Sequence, residues 1–271
     1  MMGSIFSHTS VLPTAMRSRV RFLDIFSTYG VSGLVAAIRR AIISKSRPIR
    51  QRFISLAEHS DPQTNRVIWV PTEMVEYETT CLTREQVDTF GAVYSGPWDK
   101  PVSSIRSLPY FKSFEEHFSR GVDWGETYFY RDQLRRLRAG TARVASKGEL
   151  EERLSYLDEL YKRIQEQGYK TQRELIKERP TETRSLNNDA PEPELNEIGV
   201  CIGRHGRIIK HGAGTHRLYI AKLLEVDCIP VIVRARHTEW QAIRDKTRTT
   251  EPIKNFDSDV RGYYDHPDVL S

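Results

Sequence analysis

Cysteine is scarce in this chain: Cys81, Cys201 and Cys228 are the only three among 271 residues, and no two stand in a CxxC spacing. An odd, scattered set excludes a disulfide scaffold and a zinc ribbon, and it fits a reducing compartment. Long hydrophobic runs are also missing. None approaches the ~18 apolar residues that a membrane span needs. No basic stretch precedes an apolar one at the N-terminus, so no secretory signal is expected, although the arginine-rich, acid-poor start also fits a transit peptide. Walker A, GxSxG and HExxH patterns are absent, which removes the P-loop, the hydrolase elbow and the zincin helix.

Acids are nearly missing from residues 1–57. Nine basic residues stand there against Asp24 alone, a segment charge of +8. The whole chain carries +5, so residues 58–271 sum to −3. The basic character belongs to an arm, not to the body, and a globally basic nucleic-acid binder is not what the composition describes. Within the arm, residues 30–44 read as a short helix with Leu34, Val35, Ile38 and Ile42 on one side and arginines on the other. Such an arm suits non-specific nucleic acid or an anionic membrane surface, or it packs on the body with its basic side in water.

The chain divides by texture into the arm 1–57, a region 58–178, a linker 179–193 rich in proline and asparagine, a core 194–240 and a tail 241–271. In the second region, Val67–Val70 reads as a strand stopped by Pro71. Turn signals crowd residues 90–103, with Trp98-Asp99 among them. Phe111, Phe114 and Phe118 have helical spacing, and an aromatic patch follows at Trp124, Tyr128, Phe129 and Tyr130. Ser146 and Glu149 form a capping box, and Leu150, Leu154, Leu157, Tyr161 and Ile164 recur at helical intervals up to Gly168. This predicts an amphipathic helix of about 20 residues, its stripe packed on its own domain or, as the alternative, in a dimer seam.

The most informative segment follows the linker. Ile198, Val200 and Ile202 alternate as a strand, Arg204-His205-Gly206 turn, and Arg207–Lys210 return, so a β-hairpin is predicted. Gly212 and Gly214 permit a sharp backbone. Thr215 is a good helix cap, and Leu218 to Leu224 supply about three helical turns. Ile229-Pro230-Val231 then opens a β-branched strand in which Arg234 and Arg236 share a face by period two. A glycine turn into a helix start aims unpaired N–H groups and a partial positive charge at one spot. Arg217 adds a guanidinium fork and His216 a further donor. The chemistry expected is an anion site, with phosphate the leading ligand, built from Gly212, Gly214, Thr215, His216 and Arg217. The bland reading is a tight turn, a cap and a surface ion pair.

Residues 195–237 resemble the core of the ParB/sulfiredoxin superfamily in its G-x-H-R version. Gly206, Gly214, His216, Arg217, Ala221, Ile229, Pro230 and Val231 carry the resemblance, in order. It implies a mixed α/β (α+β) fold with a hairpin–helix–strand core, here beside a helical N-terminal region. It also implies a nucleotide held by its phosphates at the helix start, with ATP, ADP or CTP as ligand; Mg²⁺ is expected beside it because phosphate charge usually needs a cation. Thr215 stands where sulfiredoxins carry cysteine and partition proteins glutamate, which argues against both chemistries. Only 34 residues follow His237, too few for the DNA-binding and dimerisation domains of a partition protein.

The reading that results is a cytoplasmic or membrane-peripheral nucleotide-binding protein, a phosphotransferase or nucleoside triphosphatase. Glu197, Glu194 and Asp99 are its candidate proton acceptors. A ParB-domain DNA-binding or nuclease-like protein and a nucleotide-gated interaction module are the alternatives. His205, His211, His216 and His237 cluster without HxH or HxxxH spacing, so no metal site is expected. Trp98-Asp99 and the patch His117, Trp124, Glu126 and Tyr128 are candidates for an opposite wall of the cleft. Oligomeric state is open.

Overall fold

The structure, a computed structural model, describes residues 66–87, 90–178, 193–249 and 261–271. The basic arm, its expected helix at 30–44 and nearly all of the expected linker lie outside these residues. The chain folds as a mixed α/β protein around one sheet. Its strands are β1 (Val67–Pro71), β2 (Tyr77–Glu78), β3 (Ala92–Tyr94), β4 (Ser103–Ser104), β5 (Ile198–Ile202), β6 (Ile208–Lys210) and β7 (Cys228–His237). Their order is β1-β7-β5-β6-β2-β4, with β3 continuing along β7 beyond β1. Strands from before the expected linker flank, on both sides, the three strands from after it in this one sheet, so the sheet does not divide where the composition does.

β7 is the centre of the sheet because its sequence is β-branched and apolar, and all of it but Cys228 is buried. Such a run suits a strand covered on both faces. It pairs in parallel with β5 and β3 and antiparallel with β1. β1 lies at the edge, where Pro71 opposite Cys228 withdraws no needed donor. Between β5 and β7 the register slips: Val200 faces Val233, but Cys201 faces Ala235. Arg234 is the inserted residue of a bulge. The expected shared face of Arg234 and Arg236 is therefore corrected: Arg234 lies 4.1 Å over the Phe90 ring, whereas Arg236 pairs with Asp268 beside Trp240.

The hairpin strands divide as their alternation requires. Ile198, Val200 and Ile202 enter the main core, while Cys201 enters a smaller one with Leu82, Trp98 and Ile209 on the other face. Helices cover the main face. They are α2 (Pro109–Arg120), α3 (Tyr128–Arg138), α4 (Lys147–Gln167) and α6 (Thr215–Leu223); α1 (Arg84–Val87) and α5 (Gln172–Glu178) are short. Phe111, Phe114, Trp124 and Phe129 pack edge-on beneath them, and Tyr219 of α6 meets Phe111 and Phe114 at 5.3 and 5.4 Å. α4 begins and ends as its caps predict. Ser146 accepts the Glu149 amide at 3.1 Å, Glu149 reaches back to the Ala145 amide at 2.6 Å, and Gly168 closes the helix with φ 75°. Its buried stripe of Leu150, Leu154, Leu157, Leu160 and Ile164 faces its own core.

The expected tail is not a tail over its described length. α7 (Thr238–Thr249) runs straight through the expected boundary at 240. α8 (Pro267–Leu270) brings Asp268, fully buried, against Arg236, Arg244 and the Trp240 indole N–H. Burial pushes the Asp268 carboxyl up, but the two arginines outweigh it and hold it ionised.

Candidate functional site

β6 and β2 run parallel and end side by side, with Tyr77 opposite Ile209 and Glu78 opposite Lys210. The chain leaves Lys210 through His211 to Ala213 and enters α6. Gly214 caps that helix in the left-handed region, φ 83°. A Cβ there would stand 2.7 Å from the Ile198 Cα, so the loop rests directly on β5 and only glycine fits. Gly199 on β5 is needed for the matching reason, since a Cβ would lie 2.4 Å from the His211 carbonyl oxygen. Thr215 is thus the first residue of the helix and not its cap, a correction to the expected role. No side chain caps α6. Its first-turn amides, with Gly212 and Ala213 exposed beside them, keep the donor capacity that a helix N-terminus offers an anion.

Lys210, the last residue of β6, is a buried cation on the way into this mouth. It is 2% exposed, and its Nζ donates to the Gly212 carbonyl at 2.6 Å. Burial pushes the ammonium down to about 7, against the pull of Glu78. Burial likewise pushes the Glu78 carboxyl up, with Lys210 opposing. Among the described residues the Glu78 carboxylate makes no hydrogen bond or ion pair within 4 Å. Tyr219, buried one turn into α6, keeps its hydroxyl protonated through burial and the Glu78 charge.

The expected ligand residues meet at this mouth but differ in availability. His216 is half-buried, stacked on Phe114 at 5.4 Å and edge-on to Phe129 at 5.7 Å. Burial, and then the charges of Arg153, Arg143 and Lys210, push its ring down to about 3, so it is neutral at pH 7. The Arg217 fork is committed: Nη1 donates to Glu197 at 3.2 Å and Nη2 to the Asn196 carbonyl at 2.6 Å. Arg217 braces the start of β5 against the start of α6 and does not present a fork to a phosphate.

The three expected proton acceptors are engaged elsewhere. Glu197 is 1% exposed, which also rules out a solubilising role; one oxygen accepts the Gln172 amide at 2.5 Å and the other Arg217. Glu194 pairs with Arg173 Nε at 2.5 Å. Asp99 lies at the β5–β6 turn, where a Cβ on Gly203 would touch it at 3.2 Å. That is the opposite end of β5, four strand residues or about 13 Å from the α6 mouth. It accepts the Arg204 amide at 2.9 Å and the Arg204 side chain at 2.7 Å. Burial alone would raise its carboxyl; the hydrogen bonds and charge of Arg204 hold it down at about 2. Trp98 packs in the far-face core with Asp99 at its side, and His117 stacks on Trp124 at 4.1 Å with both rings bound to Asp158. Neither group forms a wall of the mouth.

His211 and His237 donate to the Leu82 and Gly96 carbonyls at 3.1 and 2.9 Å. Among the described residues, no group of three or more His, Cys, Asp or Glu is placed to hold a metal ion. Sequence reasoning missed Glu78 and Lys210. A lysine inside the apolar run RIIK was a signal; its pairing with Glu78, 132 residues earlier in the chain, was not readable from either segment. Comparison of the chain with protein-family models, curated proteins and solved structures finds no match in any of the three.

Proposed function

We propose that the chain binds a nucleotide through its phosphates at the mouth of α6 and transfers or hydrolyses a phosphoryl group there. The observation that carries this reading is the uncapped, glycine-entered helix start beside the buried Lys210 ammonium. Amides and a buried cation aimed at one point stabilise negative charge more strongly than either does in water. The order β5, β6, α6, β7 and the glycine entry at Gly214 support a ParB/sulfiredoxin-like phosphate site, held by backbone amides and not by the Arg217 fork. ATP, ADP and CTP are the candidate nucleotides. Mg²⁺ accompanying them finds one carboxylate at the mouth, Glu78, so phosphate oxygens and water supply the rest of its coordination.

Glu78 replaces Glu197, Glu194 and Asp99 as the proposed proton acceptor. Its raised carboxyl range and uncommitted oxygens suit a base that takes a proton from water or an acceptor hydroxyl. Lys210 opposite it balances the charge of the transferring group. A melting-temperature screen of the full chain with ATP, ADP and CTP, with and without Mg²⁺, tests the binding. A rise with at least one nucleotide, reduced in Lys210→Met, is expected. No shift at millimolar concentration from any of them overturns the reading. Phosphate release from the nucleotide that binds then tests the chemistry: Glu78→Gln is expected to retain binding and lose turnover.

A second reading concerns the arm. The +8 of residues 1–57 against −3 elsewhere supports non-specific contact with nucleic acid or an anionic membrane. Among the described residues no helix is long and apolar enough to cross a membrane, and we place the protein in the cytoplasm or peripherally at a membrane. Gel shifts on the full chain should weaken steeply with salt and should weaken equally in Arg39→Gln/Arg40→Gln/Arg50→Gln. Sequence-selective, salt-insensitive binding would contradict it.

A further inference from the structure

The −3 charge of residues 58–271 conceals one strongly basic face. Between residues 128 and 147 stand Arg131, Arg135, Arg136, Arg138, Arg143 and Lys147, against the single acid Asp132. That stretch carries +5, so the rest of 58–271 carries −8. All six cations are exposed. Tyr128, Arg131, Arg135 and Arg138 recur at spacings of three, four and three along α3, which places them on one helix face. Phe129, Leu134 and Leu137 pack on the main core. Tyr128, 42% exposed, begins the basic face. Arg143 and Lys147 continue it through the following loop to the start of α4.

Two of the arginines are held in position from below. The Asp132 side chain is 1% exposed and accepts the Tyr110 hydroxyl, Arg135 Nη2, and Arg136 Nε at 2.6 Å. Each guanidinium is gripped by one edge, while the two side chains stay 72% and 51% exposed and their other N–H donors are uncommitted. Among the described residues, the guanidinium groups of Arg131, Arg138 and Arg143 make no hydrogen bond or ion pair. The helix dipole accounts for cations in the last turn, where Arg135, Arg136 and Arg138 lie. It does not account for Arg131 near the opposite end, nor for the like charges of Arg131 and Arg135 at i,i+4, which cost helix stability. A helix face that serves only solubility interleaves both signs, and no exposed acid stands on α3.

We propose that this face of α3 binds single-stranded nucleic acid, with its arginines on neighbouring phosphates and Tyr128 stacked on a base. Arg131 to Arg138 covers about 10 Å of helix, or about three nucleotides at ~3.4 Å each along a strand. Five of the six cations are arginine, which forks onto phosphate and also stacks on bases. An exposed tyrosine beside them is a stacking platform for an unpaired base, which a duplex does not offer. A membrane matches less well. A helix lying on lipid turns its apolar residues to the bilayer, and here Phe129, Leu134 and Leu137 pack on the core. Residues 1–57, at +8, carry the same sign as this face and are not its occupant. The proposal does not depend on the phosphate site at the α6 mouth, and it adds a base contact that the charge of the arm does not supply.

The test uses the full-length chain with three probes: a fluorescent mixed-sequence single strand of about 15 nucleotides, the duplex of the same sequence, and phosphatidylserine vesicles. The wild type should bind the single strand more tightly than the duplex. Arg131→Gln/Arg138→Gln/Arg143→Gln changes the three arginines that hold no partner and leaves the Asp132 cluster in place. It should weaken single-strand binding at least roughly tenfold and flatten the salt dependence by about 2 in log–log slope, three phosphate contacts at ~0.7 each. Tyr128→Ala should weaken single-strand binding about tenfold and leave the duplex unchanged, and Tyr128→Phe should bind as wild type does. Lys100→Gln/Lys162→Gln/Lys177→Gln removes equal charge from other exposed positions and should leave the slope unchanged. An equal loss in that control would reduce the effect to net charge and overturn the proposal, as would single-strand binding indifferent to Tyr128→Ala. An arginine variant that loses only the vesicles would make a membrane the occupant, and one that loses only self-association in sedimentation would make it a second copy; either overturns the proposal. Arg39→Gln/Arg40→Gln/Arg50→Gln should weaken single strand and duplex alike and keep the Tyr128 effect, which separates failure of the arm reading from failure of this one.

Discussion

Lys210 shows how one residue ties stability to function. Its ammonium titrates near 7 in the folded chain and near 10.4 in the unfolded one. Between these values the unfolded state holds the extra proton, so this residue adds stability as pH rises from about 7 to about 10. The melting temperature of wild type relative to Lys210→Met is expected to increase across that window; a constant difference would show that Lys210 is not buried as described. His216 works in the same direction lower down, its contribution being lost as pH falls from about 6.5 toward about 3. Asp99 makes the opposite functional forecast. Asp99→Asn removes the charge that holds Arg204 and should cost about 2 kcal/mol, yet nucleotide binding should be unchanged because it lies at the far end of β5. A melting curve and an ADP titration on the one variant check both halves.

At the scale of elements, those whose stop and start signals lie within themselves were legible in the sequence. α4 is the clearest: capping box, apolar period and terminal glycine all stand where the chain puts them. Ser146→Ala should lower stability by about 1 kcal/mol, read from denaturant unfolding, and should not alter ligand binding. The hairpin β5–β6 and the order strand, turn, helix, strand around α6 were also readable. What failed were judgements that depend on a neighbour. Thr215 has the chemistry of a cap, but the loop lies so close on Ile198 that Gly214 takes that position. Gly214→Ala should therefore destabilise by more than 1 kcal/mol and disorder the mouth. Arg234 and Arg236 obey period two in sequence, and the bulge opposite Val200 and Cys201 undoes it. Arg217 and Glu197 were each read alone as ligand and base, whereas their ion pair uses both.

For the whole molecule, the decisive contacts are long-range. The parallel pairing of β2 with β6 brings Glu78 to Lys210, and the packing of α2 on α6 brings Phe114 onto His216. One sheet takes strands from both sides of the expected linker, so the mouth of α6 is completed by residues that precede it by more than sixty positions. The measurement that tests this arrangement most directly is amide hydrogen exchange of the full-length chain with and without ADP. The amides of residues 213–217 have no side-chain cap to slow them. Slower exchange there with ADP, with no change around residues 96–104, is the expected result. Exchange at 213–217 that is indifferent to saturating ADP, or protection confined to the Asp99 turn, would contradict a phosphate site at the start of α6.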